Sequence, residues 1–282
     1  MKVFITGARG FIGSSLIKSI NGIYFKKFSF TKDSIKDINL ENFDSVIHLS
    51  SIVHSSKDLS WNKYQEININ NTLNLAKKAK KAGVKQFVFM STIKVYGEGS
   101  AIALTETSKC MPEDNYAMSK FIAEEELLKL NSNSFKVVII RSPLVYGKNP
   151  KGNILKVIKL INITRWLPFG GIKNKRSMVS IHNLSKMIEI ILKKEIEGIF
   201  LANDDKPVST SEFISLVGES INKKVYLFKF APIKILLKYF RPNIYKRIYT
   251  DFFIDNSYSK SRLGIKTQLS MESYLRNLNQ CI

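Results

Sequence analysis

Cysteine is nearly missing from this 282-residue chain: Cys110 and Cys281 are the only two. Two cysteines without metal-ligand spacing exclude a disulfide framework and a thiolate metal site. Histidine is almost as scarce, and His48, His54 and His182 are scattered, so no metal is expected. No apolar run approaches the ~18 residues a membrane-spanning helix needs. The first glycine, Gly7, arrives too early for the apolar stretch of a signal peptide. A soluble, cytoplasmic protein is therefore expected. Acidic residues are few, 23 Asp and Glu against 44 Lys and Arg, for a formal charge of +21. Such a field attracts phosphate surfaces. The lysines are dispersed, however, with no basic tail or Arg-rich block, which describes a solvated surface and no nucleic-acid partner. What remains, 44% hydrophobic and 24% charged, is a globular composition long enough for a large core.

Read in order, short continuous apolar runs alternate with stretches of helical periodicity, which is the pattern of an α/β, doubly wound parallel sheet of Rossmann type. Residues 1–6 form a first strand that runs into Gly7-Ala8-Arg9-Gly10-Phe11-Ile12-Gly13, and residues 14–20 continue as a helix. Glycines between a strand and a helix suit a dinucleotide: Gly7 for the tight turn, Gly10 for close approach of the backbone to a pyrophosphate, Gly13 for helix packing. The second strand falls in residues 22–30, where an acid commonly holds the ribose hydroxyls of NAD; here it carries Lys26 and Lys27, with Asp33 later. Cations there favour the extra phosphate of NADP, so NAD(P) is expected, with NADPH preferred.

Further strands fall at 45–49, 86–90 and 135–140, and a helix at 61–82 places Leu73, Leu75, Ala76 and Ala79 inward. The helix 115–130 carries Tyr116 and Lys120, with Glu124, Glu125 and Glu126 solvated. Four-residue spacing puts the Tyr116 phenol and the Lys120 ammonium on one helical face. A phenol titrates near pH ~10, so lowering it by ~3 units requires about 4 kcal/mol, which a fixed cation can supply. Residues 1–165 thus read as a dinucleotide-binding domain, with 177–203 rejoining it. Residues 166–282 read as a smaller mixed substrate lobe. In that lobe Ile233, Leu236, Leu237 and Phe240 share one helical face and Lys234, Lys238 and Arg241 another. A membrane-surface helix has this form, but packing of the stripe on its own domain is the expectation.

With these stretches in order, the chain resembles the extended short-chain dehydrogenases/reductases, the nucleotide-sugar epimerases, dehydratases and reductases. Gly7, Gly10 and Gly13 match the Gly-x-x-Gly-x-x-Gly turn. Thr92, four before Tyr96 of Val95-Tyr96-Gly97, falls at the Ser/Thr position, and Tyr116 with Lys120 forms the Tyr-x-x-x-Lys pair. Asn68, four before Thr72, matches a structural Asn, although Asn71 stands where Gly is usual. Asp255 through Leu263-Gly264 resembles the family's closing stretch. The resemblance implies that Phe11, Ile12, Leu49, Ser50, Ser51, Asn68 and Pro143 join the glycines, Tyr116 and Lys120 around the cofactor. It implies further that Thr92, Lys94, Asn153 and Arg176 contact a UDP-linked sugar, that catalysis falls to Thr92, Tyr116 and Lys120, and that a homodimer can form through the helix carrying Tyr116.

Ile93-Lys94 occupies the place where 4,6-dehydratases carry an Asp-Glu pair, which argues against dehydration. The wording of Ser91-Thr92-Ile93-Lys94-Val95, of Lys151-Gly152-Asn153 and of Arg176-Ser177-Met178-Val179 resembles a bacterial subgroup of UDP-glucose 4-epimerases and UDP-N-acetylquinovosamine-forming reductases. Ser50-Ser51, Ile52 and Leu144 depart from it. The implied chemistry is hydride transfer at carbon 4 of a nucleotide sugar. Reduction of a UDP-4-keto-6-deoxy-N-acetylhexosamine for surface polysaccharide synthesis is favoured, because Lys26 and Lys27 suit NADPH. A UDP-glucose or UDP-N-acetylglucosamine 4-epimerase with retained NAD is the alternative, and a non-catalytic dinucleotide-sensing protein is a third reading.

Overall fold

The first strand, β1 (Lys2–Thr6), alternates its burial between two cores, and this sets the architecture. The computed structural model describes every residue except 32, 54–58, 149–152, 267 and 280–282. After β1 come α1 (Phe11–Ser19), β2 (Tyr24–Phe28) and β3 (Ser45–His48). A helical run follows: α2 (Trp61–Tyr64), a π-helical stretch Gln65–Asn70, and α3 (Asn71–Lys81). Next are β4 (Gln86–Thr92), α4 (Asn115–Leu128), β5 (Lys136–Ser142), β6 (Leu144–Tyr146), α5 (Asn153–Ile163), β7 (Trp166–Leu167) and β8 (Met178–Ser180). The chain ends with α6 (Ile181–Lys194), β9 (Gly198–Leu201), α7 (Thr210–Ser220), β10 (Tyr226–Leu227), α8 (Ala231–Phe240), α9 (Pro242–Tyr249), α10 (Ser257–Leu263) and α11 (Met271–Asn279).

Six strands form one sheet in the order β2-β1-β3-β4-β5-β9, parallel throughout. Successive strand residues point to opposite faces. Val3, Ile5, Ile47, Val88, Val138 and Ile140 pack against Leu16 of α1 and Leu184, Ile188 and Ile191 of α6. Phe4, Val46, Phe87, Phe89, Val137 and Ile139 meet Leu75, Ala76 and Ala79 of α3 and Ala123 and Leu127 of α4. A strand buried on both faces reads as a continuous apolar run, which is why these strands are visible in the sequence. The order reverses between β1 and β3, and ligands collect at the carboxyl ends of strands beside such a reversal.

A third apolar cluster, built on Ile161, Leu167, Phe213, Ile214 and Val217, packs α5, α7 and α11 together. Two small parallel pairs, β7 with β10 and β6 with β8, lie outside the main sheet.

Three expectations are corrected. The helix at 61–82 is broken by the π-helical stretch Gln65–Asn70, and Leu73 is only partly buried. Glu124 is not solvated: it is fully buried, because Arg141 pairs with it. The apolar stripe of α8 does not pack inward. Ile233 and Leu237 are half-buried, whereas Leu236 and Phe240 are exposed.

Candidate active site

The turn after β1 is shaped by what its glycines leave out. Gly7 sits at φ +69°, and a Cβ there would lie 2.9 Å from the backbone of Leu49 and Ser50. A Cβ on Gly13 would lie 2.4 Å from the Gly7 carbonyl oxygen and 2.8 Å from Ala8 Cα. These close approaches bring α1, β1 and the segment after β3 together around one notch. Gly10 begins α1 with no side-chain cap, and first-turn amides such as those of Phe11 and Ile12 have no intrahelical acceptor. The helix end therefore presents amide hydrogens and positive dipole to an anion. Leu49, Ser50 and Ser51 line the same notch, partly buried, and Pro143 follows β5 at its carboxyl end. A glycine-lined notch and an uncapped helix start fit the pyrophosphate of NAD(P).

A directed chain of hydrogen bonds holds this notch to the helix that carries Tyr116. The Ser50 amide donates to Thr6 Oγ1 (3.2 Å), and the Thr6 hydroxyl lies 2.7 Å from His48 Nδ1. His48 Nε2 lies 2.9 Å from Thr72 Oγ1, whose own hydrogen goes to the Asn68 carbonyl at 2.7 Å. With the Thr72 hydrogen committed, its oxygen accepts, so His48 carries its proton on Nε2 and receives one from Thr6 at Nδ1. Burial, reinforced by Lys120, pushes the His48 imidazole down to about 3, so it stays neutral. Asn68 exchanges two hydrogen bonds with the backbone of Ile52 (2.8 and 3.0 Å) and donates to Ser119 Oγ at 2.9 Å. Ser119 in turn donates to the Tyr116 carbonyl at 2.8 Å.

Lys26 and Lys27 lie two and one residues before the end of β2. Both are exposed within β2, where Lys26 pairs with Phe4 and Lys27 with Ile5. Strand β2 ends at Phe28, and the Ser29 amide that follows donates to the Asp33 carboxylate at 2.9 Å. Phe28 closes β2 beyond both lysines, and binding of NAD(P), without a preference between its two forms, is what the site supports.

Thr92 ends β4, 7% exposed, paired in register with Ser142. Asp114 caps α4 by accepting from the Ala117 amide at 2.7 Å, which fixes where Tyr116 projects. The Thr92 hydroxyl hydrogen-bonds the partly buried Tyr116 phenol. Lys120, 2% exposed, lies on the next turn with its ammonium 4.1 Å from the centre of the Phe89 ring. The two groups differ from the sequence expectation. Burial raises the Tyr116 phenol above its ordinary range and the nearby Asp114 adds to this, while Thr92 pulls it back. Burial lowers the Lys120 ammonium to about 7 against the opposing pull of Glu124. The cation assigned to stabilising the phenolate is directed at Phe89 instead.

Behind Lys120 lies a polar cluster that sequence reasoning missed. Arg141 donates to Glu124 Oε2 from Nε (3.0 Å) and Nη2 (2.6 Å), and its Nη1 reaches the Tyr96 hydroxyl at 2.8 Å. The Ser91 hydroxyl donates to the other Glu124 oxygen. Burial pushes the Glu124 carboxyl up while Arg141 and Ser91 hold it down. The signals were present in the sequence: Glu124 stands one turn after Lys120, and Arg141 ends an apolar strand, where an unpaired charge would not survive.

Of the four expected substrate contacts, Lys94 is engaged within the protein and Arg176 is not ion-paired among the described residues. Lys94 is ion-paired to Asp114 and, at 2.6 Å, to Glu98, and its amide donates to Thr92 Oγ1 at 3.2 Å. It therefore orients Thr92 and the cap of α4. Arg176 has no carboxylate at ion-pair distance among the described residues; its guanidinium lies 5.4 Å from the Phe252 ring, and burial lowers it to about 10. A half-buried Arg whose guanidinium donates to a backbone carbonyl, that of Thr250 at 3.5 Å, is suited to an anion. Asn153 begins α5, its side chain outside the described atoms along with Lys151 and Gly152. Among the described residues no group of three His, Cys, Asp or Glu side chains is placed to hold a metal.

Residues 3–200 match the NAD dependent epimerase/dehydratase family. Over 99% of this chain and 94% of its relative, the sequence is 32% identical to a UDP-glucose 4-epimerase of Vibrio cholerae. Among solved structures, UDP-N-acetylglucosamine 4-epimerase from Bacillus cereus superposes with a TM-score of 0.77 at 18% identity, covering 100% of this chain and 99% of that one. RMD from Pseudomonas aeruginosa, complexed with NADPH, gives 0.79 at 18% identity over 99% of both chains. At such identities the superpositions show a shared fold. The chain thus belongs to the NAD dependent epimerase/dehydratase family of extended short-chain dehydrogenases/reductases, and is an NAD(P)-binding enzyme of the epimerase/oxidoreductase kind.

Proposed function

We propose that this enzyme epimerises carbon 4 of a UDP-hexose with NAD retained in its site. The observation that carries the reading is the full-length likeness to the Vibrio cholerae UDP-glucose 4-epimerase, in a chain whose Thr92 and Tyr116 hydroxyls meet at the carboxyl end of β4. NAD supplies a hydride acceptor for the oxidative half and the donor for the return. Tyr116 takes the proton from the sugar's 4-hydroxyl at its phenol oxygen and gives it back after the keto sugar has turned over. Thr92 holds the same sugar oxygen in place, an orienting and electrostatic contribution. Burial opposes the phenolate, so Tyr116 depends on positive charge in the cleft. Lys120 supplies it when its long side chain turns from Phe89 toward the cofactor ribose. Arg176 clamps the UDP diphosphate.

The reductase reading uses the same three residues, and its particular support was the pair Lys26 and Lys27, which lie short of the cofactor end of β2. To test the proposal, the protein as purified is denatured and the released nucleotide identified, and Tyr116→Phe is compared with wild type on UDP-glucose. NAD(H) close to one per chain, with turnover lowered about 10²- to 10⁴-fold in the variant and nucleotide retention unchanged, is the expected result. Unaltered turnover would remove Tyr116 from the chemistry.

A further inference from the structure

Helices α8 and α9 lie on the outside of the second lobe with no fully buried side chain. On α8, Ile235 is 59% exposed, Leu236 57%, and Tyr239 and Phe240 74% each. Positions i, i+1, i+4 and i+5 share one helical face, so these four make a continuous apolar strip. Phe230 just before α8 and Ile244 on α9 are exposed as well. Single exposed apolar side chains are ordinary, but a contiguous strip of large ones marks a surface that meets something.

The charge around the strip says what. Residues 223–250 contain eight Lys and Arg and no Asp or Glu. Lys234, Lys238 and Arg241 are exposed beside the strip. Among the described residues no helix is long and apolar enough to cross a membrane, so an apolar face rimmed by cations suits lying on a bilayer rather than spanning it. A second copy of the chain is the rival occupant. Pairing two such faces would bring Lys234, Lys238 and Arg241 of each copy together with no acid in either helix to offset them, whereas anionic lipid supplies the opposite charge.

We propose that α8 and α9 form a membrane-surface element that seats the enzyme on an anionic bilayer. Ile235, Leu236, Tyr239 and Phe240 enter the headgroup and acyl boundary, and the flanking lysines and arginines meet lipid phosphates. The element is also tied to the active-site cleft. Lys246 of α9 pairs with Glu113 at 2.6 Å, and Arg247 lies 3.9 Å from Glu98, which shares Lys94 with the cap of the Tyr116 helix. Docking therefore sets the rim of the cleft beside the lipid surface.

The test is flotation of the full-length protein with vesicles of equal parts phosphatidylglycerol and phosphatidylcholine, and with phosphatidylcholine alone. Wild type floats with the anionic vesicles and at least about tenfold less with the neutral ones or at high salt. L236E/F240E lowers anionic partitioning at least about tenfold, with thermal unfolding and UDP-hexose turnover in solution unchanged. K238E/R241E removes the anionic preference independently of the apolar change. Wild type remaining in solution with anionic vesicles overturns the proposal. So does a wild-type dimer that L236E/F240E converts to monomer with no vesicle binding in either protein, because the face would then belong to a second copy.

Discussion

His48 offers a stability signature that can be separated from everything else in the chain. Its imidazole lies between Thr6 and Thr72 with both ring nitrogens hydrogen-bonded, and burial lowers it from 6.5 to about 3. In the unfolded chain it protonates as pH falls through 6.5, whereas in the folded protein it does not until about 3. Between those values the unfolded state binds the extra proton, so folded-state stability drops as pH falls. The loss is about 1.4 kcal/mol per pH unit, hence about 2 to 3 kcal/mol between pH ~6.5 and ~4.5. Lys120 contributes in a different window: its ammonium is lowered to about 7, so its effect lies above that pH. Glu124 and Asp204, both raised by burial, act in the opposite direction at the acid end. The informative quantity is therefore the difference between wild type and His48→Gln in urea unfolding followed by circular dichroism across this range. At pH ~8 the variant should be less stable by about 1 to 3 kcal/mol, because Thr6 loses its acceptor. That gap should close by about 2 to 3 kcal/mol toward pH ~4.5, since Gln cannot titrate. A constant gap across the range would refute the neutral, buried imidazole.

Three further outcomes follow from the same geometry. Gly13→Ala should cost about 1 to 3 kcal/mol, since its methyl meets the Gly7 carbonyl and Ala8 Cα, which are backbone atoms that cannot swing aside; thermal unfolding and NAD titration should both register it. Glu124→Gln leaves the buried Arg141 without its counter-charge and should cost about 3 to 5 kcal/mol, with a double-mutant cycle against Arg141→Met recovering a large coupling energy. Asn68→Ala unties Ile52 from Ser119 and should cost about 2 kcal/mol. It should also weaken NAD retention, measured by dialysis, more than it changes the affinity for UDP.

The sheet was legible because its strands are buried on both faces, so runs such as Phe87-Val88-Phe89-Met90 stand out against polar connections. The glycine turn and the Tyr116 to Lys120 spacing were legible for a related reason: close approach and shared helical faces are fixed by local geometry. What escaped depended on tertiary partners. The i+4 spacing from Lys120 sets Glu124 apart from exposed Glu125, but its partner Arg141 lies seventeen residues on, so the pair could not be read locally. His48 read as one scattered histidine because its partners Thr6 and Thr72 come from another strand and another helix. The ion pairs of Lys94 with Asp114 and Glu98 join residues up to twenty apart and could not be read from local spacing. Helical periodicity showed an amphipathic α8, but it placed Ile233 and Leu237 rather than Ile235 and Tyr239 on the apolar strip and did not reveal whether protein covers it. Lys26 and Lys27 do not by themselves decide between NAD and NADP, because the sequence places a strand more reliably than it places the strand's last residue.

The central claim is that the enzyme carries its own NAD and uses it to move hydride off and back onto carbon 4 of a UDP-hexose. Its most direct test is to incubate the purified protein with UDP-glucose, and in parallel UDP-N-acetylglucosamine, with no cofactor added, and to follow the sugar protons by NMR. The account predicts that at least one of them converts to its 4-epimer until equilibrium is reached. Failure of both to convert, together with consumption of added NADPH only when a UDP-4-keto sugar is supplied, would contradict it and restore the reductase.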